Sequence, residues 1–187
     1  KLNIYDINFK QKYYLISGKK IYWEKLLYCF KYKGIIRKYI LKYKFGCKPY
    51  LSDFFANQIL NNKKLYEILK LYDIIIPVPM EKVKKQKRGY NQTELIAKLI
   101  AKKYKISYQE DVIVKIKNTK TQSTLKKEER KDNIKDAYII TERNNVKGKK
   151  VILFDDIYTT GATVNEVSKK LKEAGAKEIL VIVIAKD

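Results

Sequence analysis

A chain of 187 residues with 45% hydrophobic content makes one domain of ordinary size. No apolar run reaches membrane-span length and no signal peptide is expected at its start, so a cytoplasmic location is the expectation. With no histidine, and with Cys29 and Cys47 as its cysteines, the sequence excludes Ser-His-Asp and Cys-His catalysis, His-ligated metals and a disulfide scaffold, and no zinc is expected.

Net charge is +22, from 42 basic and 20 acidic residues. It points either to a polyanionic partner or to a compositional bias toward Lys, Ile, Asn and Tyr, and lysines spread along the chain do not choose between them. Residues 1–72 hold 11 of the 16 tyrosines, the single Trp and a charge of +12, against +10 for residues 73–187. They are expected to form a smaller N-terminal hood over a core spanning 73–187. The tyrosines suit apolar filling of the hood ahead of stacking on a nucleic acid.

Ile21–Phe30 reads as strand-like. Gly34–Lys44 reads as a short basic helix with Ile35, Ile36, Tyr39, Ile40 and Tyr43 on one side, stopped by Gly46. Ser52–Lys70 carries a second helical pattern, broken near Asn61-Asn62. From Asp73 the pattern alternates. Ile74–Val78 is a strand ended by prolines, and Asn91–Tyr104 is a helix with Leu95, Ile96, Leu99 and Ile100 inward. Asp111–Ile116 and Ala137–Ile140 are strands flanking a long polar excursion, Lys117–Asp136, of the kind that serves as a mobile lid. Val151–Phe154, a helix over Thr163–Ala174 closed by Gly175, and a strand over Ile179–Ala185 complete the chain. Such alternation predicts an α/β fold with a mainly parallel, doubly wound sheet. No GxGxxG or GxxxxGK[ST] supports a dinucleotide or P-loop reading.

Three segments carry chemistry. In Val151 to Thr163 a buried strand is followed by Asp155 and Asp156, a loop Thr159-Thr160-Gly161, and a helix start at Ala162-Thr163. Taken alone it reads as a well-capped βα connection. Taken whole, two acids for a sugar diol beside backbone N–H groups and a helix N-terminus for a phosphate describe a ribose-5-phosphate site. Gly161 is expected at a backbone conformation or close approach that a side chain would obstruct. The second segment, Pro77-Val78-Pro79-Met80 with the basic loop through Lys84, Lys85, Lys87 and Arg88 to Gly89, is either a solvated basic loop or a donor of N–H groups and cations to a diphosphate. The third, Thr119 to Tyr138, contains Gln122 and Arg130 on the polar excursion.

The segment Asp155 to Thr163 resembles the phosphoribosyl-diphosphate (PRPP) motif of type I phosphoribosyltransferases. The ordered set Pro77 to Met80, Arg88 to Gln92, Gln122 to Asn133 and Asp155 to Thr163 resembles the ComF family, linked to DNA uptake during natural competence. Tyr32 to Phe45 is similar to that family's entry into the domain. The resemblance implies the type I fold and a PRPP site. Asp155 and Asp156 would take the ribose hydroxyls directly or through Mg²⁺ and water. Thr159, Thr160, Gly161, Ala162 and Thr163 would cradle the 5-phosphate. Pro79, Met80 and Arg88 would face the pyrophosphate, and Gln122 and Arg130 would sit on the lid.

Mg²⁺ arriving with PRPP is the implied cofactor, with no metal held by the chain alone. Single-stranded DNA, held through Lys84, Lys85 and Lys87, and other DNA-uptake proteins are the implied partners. Two functions follow from the resemblance: transfer of the phosphoribosyl group with pyrophosphate release, or non-catalytic PRPP sensing joined to single-stranded DNA binding. Many members carry a four-cysteine zinc module that nothing here matches. Thr159 stands where purine-salvage relatives have an acidic base, so the resemblance does not extend to purine salvage.

Overall fold

The computed structural model describes residues 20–61, 63–117 and 134–187. In chain order the elements are β1 (Lys25–Lys31), α1 (Gly34–Phe45), α2 (Leu51–Leu60), α3 (Lys63–Leu69), β2 (Ile74–Pro77), α4 (Lys82–Arg88), α5 (Gln92–Tyr104) and β3 (Ser107–Tyr108). There follow β4 (Ile113–Lys115), β5 (Tyr138–Ile140), a 3₁₀ turn (Arg143–Asn145), β6 (Lys150–Tyr158), α6 (Ala162–Glu173) and β7 (Glu178–Lys186). Five strands form one parallel sheet in the order β1-β7-β6-β2-β3, and β4 and β5 pair antiparallel beside it.

The period of two along each strand divides the core between the two faces. On β6, Ile152 and Phe154 join α1, α2, α3 and α5 through Ile40, Phe55, Leu69 and Ile100. Val151 and Leu153 turn to the other face and pack with Val167 and Leu171 of α6, Tyr138 of β5, and Val181 and Val183 of β7. Helices cover both faces, as a doubly wound parallel sheet requires.

β1, α1, α2 and α3 all come from the segment expected as a hood, and they are built into this core. β1 pairs with β7 from Lys25↔Leu180 to Lys31↔Lys186, and the cluster holding Leu27, Ile36 and Tyr72 also holds Ile75 and Ile152. The described part of residues 1–72 is therefore continuous with the sheet and its covering layer. On α1 the buried stripe is narrower than its apolar residues suggest. Ile36, Ile40 and Tyr43 are buried at i, i+4, i+7 spacing, whereas Ile35 and Tyr39 face outward. The basic stretch after Met80 is a helix, α4, rather than a loop, and ends at Gly89 in the left-handed region with φ +81. Among the described residues, no helix is long and apolar enough to cross a membrane.

At the amino ends of the central strands, Glu178 ties three elements. Its carboxylate accepts from Lys25 Nζ at 2.8 Å and Tyr72 Oη at 2.7 Å, and lies 3.5 Å from Lys150 Nζ. Burial alone would raise its pKa, but these donors outweigh it and hold the group down to about 2. A carboxylate whose pKa is lowered on folding adds stability that is complete above its ordinary value of 4.5 and fades as pH falls toward 2. Glu178→Gln is expected to cost about 1–2 kcal/mol at neutral pH. Urea unfolding at a series of pH values should show that cost shrinking as the medium is acidified toward the lower value.

Candidate functional site

The strand order places the site. The β2–α5–β3 unit runs outward one way from the sheet centre, with its helix on one face. The β6–α6–β7 unit runs the other way, with its helix on the opposite face. The point of reversal lies between β2 and β6, where open α/β sheets leave a crevice at the strands' carboxyl ends. Register makes this concrete. Pairing of β2 with β6 stops at Pro77↔Phe154, closed by Val78 N donating to Phe154 O at 2.8 Å. β6 nevertheless continues beside β7 to Tyr158↔Lys186. Asp155 and Asp156 thus belong to the strand itself, where it overhangs its shorter neighbour, rather than to a loop after its end.

The crevice is a cavity of about 650 Å³. Asp155, Asp156, Thr159, Thr163, Pro79, Met80, Lys84, Lys87 and Arg88 all line it, so nine of the expected positions converge. Thr160, Gly161 and Ala162 form the turn between Thr159 and Thr163 and lie outside the lining. Lys85 is turned to Glu94 of α5 at 2.7 Å. Gln122 and Arg130 lie outside the described residues.

Strand alternation sends the two carboxylates to different walls. Asp156 follows Ile152 and Phe154 toward α1 and α5. Lys44 Nζ stands 2.9 Å from its Oδ1, and Gln92 Nε2 donates to its Oδ2 at 2.6 Å. Arg88 donates to the other end of the same amide, Gln92 Oε1. A chain of contacts therefore runs Arg88–Gln92–Asp156–Lys44. Asp155 follows Val151 and Leu153 toward the opposite wall, and its Oδ1 accepts from Asp156 N at 2.8 Å. Burial first, and the neighbouring Asp156 charge second, push its pKa up, while Lys44, the Asp156 N–H and Lys115 oppose the rise. Lys115 reaches buried Glu81 at 2.8 Å, and Lys84 pairs with the same carboxylate at 3.0 Å. Burial lowers the Lys115 pKa, and Glu81 opposes that shift.

Local sequence explains how these groups are held. Asn91 is the N-cap of α5, accepting from Thr93 N at 3.2 Å, and its own amide donates to Val78 O at 3.3 Å. The Thr93 hydroxyl lies 2.9 Å from that same carbonyl. The end of β2 is thereby fastened to the start of α5, one residue from Gln92. Tyr43 Oη donates to Gln92 O at 2.9 Å, Tyr90 Oη donates to Tyr43 O, and Arg88 lies over the Phe45 ring at 5.3 Å. The end of α1 is thus bound to the α4–α5 junction.

The phosphoribosyl transferase domain family matches residues 91–187, just over half of the chain. Competence protein F of Haemophilus influenzae is 31% identical over 163 residues, covering 85% of this chain and 71% of that protein. The chain belongs to the ComF family of phosphoribosyl transferase-domain proteins. It is also similar to competence protein ComFC of Bacillus subtilis, 27% identical over 147 residues that cover 78% of this chain and 57% of that one. Among solved structures, the purine phosphoribosyltransferase of Pyrococcus horikoshii is similar at a TM-score of 0.44 and 18% identity, over 74% of this chain and 84% of that chain.

For this ComF-family chain the sequence motifs and the cavity coincide, yet four residues that shape the site carry no role in the sequence reading: Lys44, Glu81, Gln92 and Lys115. Gln92 stood inside a recognised run, and its position one residue after a capping Asn was a usable signal. Lys44 and Lys115 look like any other lysine of a basic chain, and only the fold brings them to the carboxylates.

Gly161 meets its expectation with a different neighbour in view. Its φ of +74 is left-handed, and an added Cβ would lie 2.6 Å from Tyr158 Cζ. The Tyr158 ring is itself packed edge-on against Trp23, with centroids 6.2 Å apart. Gly161→Val combines strain with a clash and is expected to lower stability by about 1–3 kcal/mol in denaturant titration. Phe at position 158 replaces only the hydroxyl, so Tyr158→Phe should leave stability nearly unchanged by the same measurement.

Proposed function

We propose that the cavity binds PRPP with Mg²⁺ and that the protein transfers the phosphoribosyl group with release of pyrophosphate, in the setting of DNA uptake. The observation that carries this reading is the division of charge within one crevice. A pair of adjacent carboxylates lies on the overhang of β6, and Lys84, Lys87 and Arg88 of α4 line the same cavity. A ligand with a diol at one part and a diphosphate at another matches that division.

The donor set fits Mg²⁺. Asp155 offers oxygen alone, and its pKa, raised first by burial and then by the neighbouring Asp156 charge, would be brought down by added positive charge. Asp155 would hold the ion together with ligand oxygens, where it would neutralise the diphosphate. The chain's own residues do the rest. The carboxylates accept from the ribose hydroxyls and fix the ring. Thr159 and Thr163 face the 5-phosphate at the amino end of α6, whose dipole favours an anion. Arg88 and Lys87 take up negative charge as the bond from C1 to the diphosphate oxygen lengthens through an oxocarbenium-like state. Positioning and charge stabilisation supply the catalysis, and the acceptor attacks C1.

The decisive test is a screen of nucleobases and amines for PRPP-dependent pyrophosphate release. An acceptor that supports turnover establishes the transferase. Asp156→Asn should weaken PRPP binding by about tenfold or more in calorimetry, the worth of charge-assisted hydrogen bonds to a buried carboxylate. The variant should still unfold cooperatively. Unchanged affinity in the folded variant would remove the diol assignment.

One observation favours the second reading, PRPP sensing with single-stranded DNA binding. Tyr50 is 62% exposed and has Lys48 Nζ 5.7 Å from its ring centroid. Such a pair suits a stacked base and its phosphate. Lys84 and Lys85 are engaged with Glu81 and Glu94, so the charge reversals that isolate this surface are Lys48→Glu and Lys87→Glu. Together they should cut single-stranded DNA affinity about tenfold at low salt and flatten its salt dependence. Equal binding by parent and variant at two salt concentrations would make +22 a matter of composition.

A further inference from the structure

We infer that Lys44 is the resident counter-ion of Asp156, so that the diol end of a phosphorylated ribose is held at this carboxylate without a divalent metal. The inference deepens the proposed PRPP reading and rests on it. Lys44 lies in the last turn of α1, far in sequence from the motif strand. Its Nζ stands 2.9 Å from Asp156 Oδ1, and the two side chains are 20% and 7% exposed. A lysine so shielded is no ordinary surface charge. It is aimed by its neighbours on either side: Tyr43 is fully buried and donates to Gln92 O, and Phe45 lies beneath Arg88. Three successive residues thus grip three parts of one site.

Chemistry then separates the two acids of the motif. Asp156 has a full positive partner from the chain and an amide donor at its other oxygen. Asp155 has backbone help at 2.8 Å and feels Lys44 and Lys115 as charges. A vicinal diol placed against Asp156 meets an acceptor in the carboxylate and a donor in the ammonium, the complementary pair that one hydroxyl group, donor and acceptor at once, can satisfy. A divalent cation approaching the same carboxylate meets the Lys44 charge within a few ångströms and is repelled. In this arrangement a metal serves the diphosphate end of the ligand, and Lys44 serves the sugar end.

The probe that isolates the sugar end is ribose 5-phosphate, which has the diol and the 5-phosphate but no diphosphate. Calorimetry of the parent protein should give similar affinities in EDTA and in Mg²⁺. Lys44→Met should lose about tenfold or more in EDTA, the worth of a charge-assisted hydrogen bond, and Lys44→Arg should recover most of it. A parent that binds ribose 5-phosphate only with Mg²⁺, or a Lys44→Met variant that binds as tightly as the parent in EDTA, overturns the inference. Mn²⁺ alone, followed by its electron paramagnetic resonance signal, gives a readout without the sugar. Lys44→Met should bind Mn²⁺ about fivefold or more tightly than the parent, because one nearby positive charge is gone. Equal Mn²⁺ affinity in the two proteins overturns the role of Lys44 whatever ribose 5-phosphate does. Failure of both proteins to bind ribose 5-phosphate in either medium overturns the PRPP reading instead, and leaves Mn²⁺ to judge Lys44.

Discussion

The buried carboxylate of Asp156 organises this site, because a charge that has left water must be met from more than one direction. Lys44 meets it from α1 and Gln92 from α5, and Arg88 fixes the far end of the Gln92 amide. Each of these groups is in turn secured by something else. Asn91 and Thr93 bind the start of α5 to the carbonyl of Val78, and Tyr43 binds α1 to Gln92 O. Without Asp156, Lys44 would lose the carboxylate that stands 2.9 Å from its Nζ. α1 and α5 thus meet at a single strand residue.

A second constraint is geometric. Adjacent residues of a strand point to opposite faces, so a neighbouring pair of acids cannot share one environment. The consequence is visible in their partners. Asp156 is served by α1 and α5, whereas the wall near Asp155 presents Tyr138, Lys115 and Glu81. The overhang of β6 past β2 allows both side chains to reach one cavity, since the missing neighbour opens the sheet on that side. A longer β2 would fill the opening with backbone. The last bond of that pairing is made by Val78 N, and the chain then leaves the sheet toward α4.

Much of this was legible in the sequence, and for identifiable reasons. The helix over Asn91–Tyr104 and the last helix and strand lie where the pattern put them, whereas the motif strand, expected over Val151–Phe154, runs on from Lys150 to Tyr158. The motif residues that converge do so because they are close in sequence or lie at strand ends. Three features escaped for physical reasons. The Lys84–Arg88 run looks like a loop by charge, but its spacing lets Lys84 and Lys85 find Glu81 and Glu94, which supports a short helix. β1 was legible as a strand but not as the sheet's edge next to β7, because long-range pairing leaves no local signature. Lys44 escaped for the same reason, since nothing in its neighbours announces a carboxylate more than a hundred positions away.

Asp155 carries the cost of building such a site. Its pKa is raised by burial and by Asp156, so the folded state holds its proton more tightly than the unfolded chain does. The sign follows from linkage. A carboxyl group raised on folding contributes stability below its ordinary pKa and loses that contribution as pH rises through the raised value. At neutral pH the residue therefore works against the fold, in the opposite sense to Glu178 at the other end of the sheet, which is lowered and works for it. The two acids lie at opposite ends of the same strand bundle, one surrounded by donors and one left short of them. Structural ends of a parallel sheet can satisfy their charges completely. At the crevice end, burial and the Asp156 charge outweigh the help that Asp155 has from Lys44, the Asp156 N–H and Lys115.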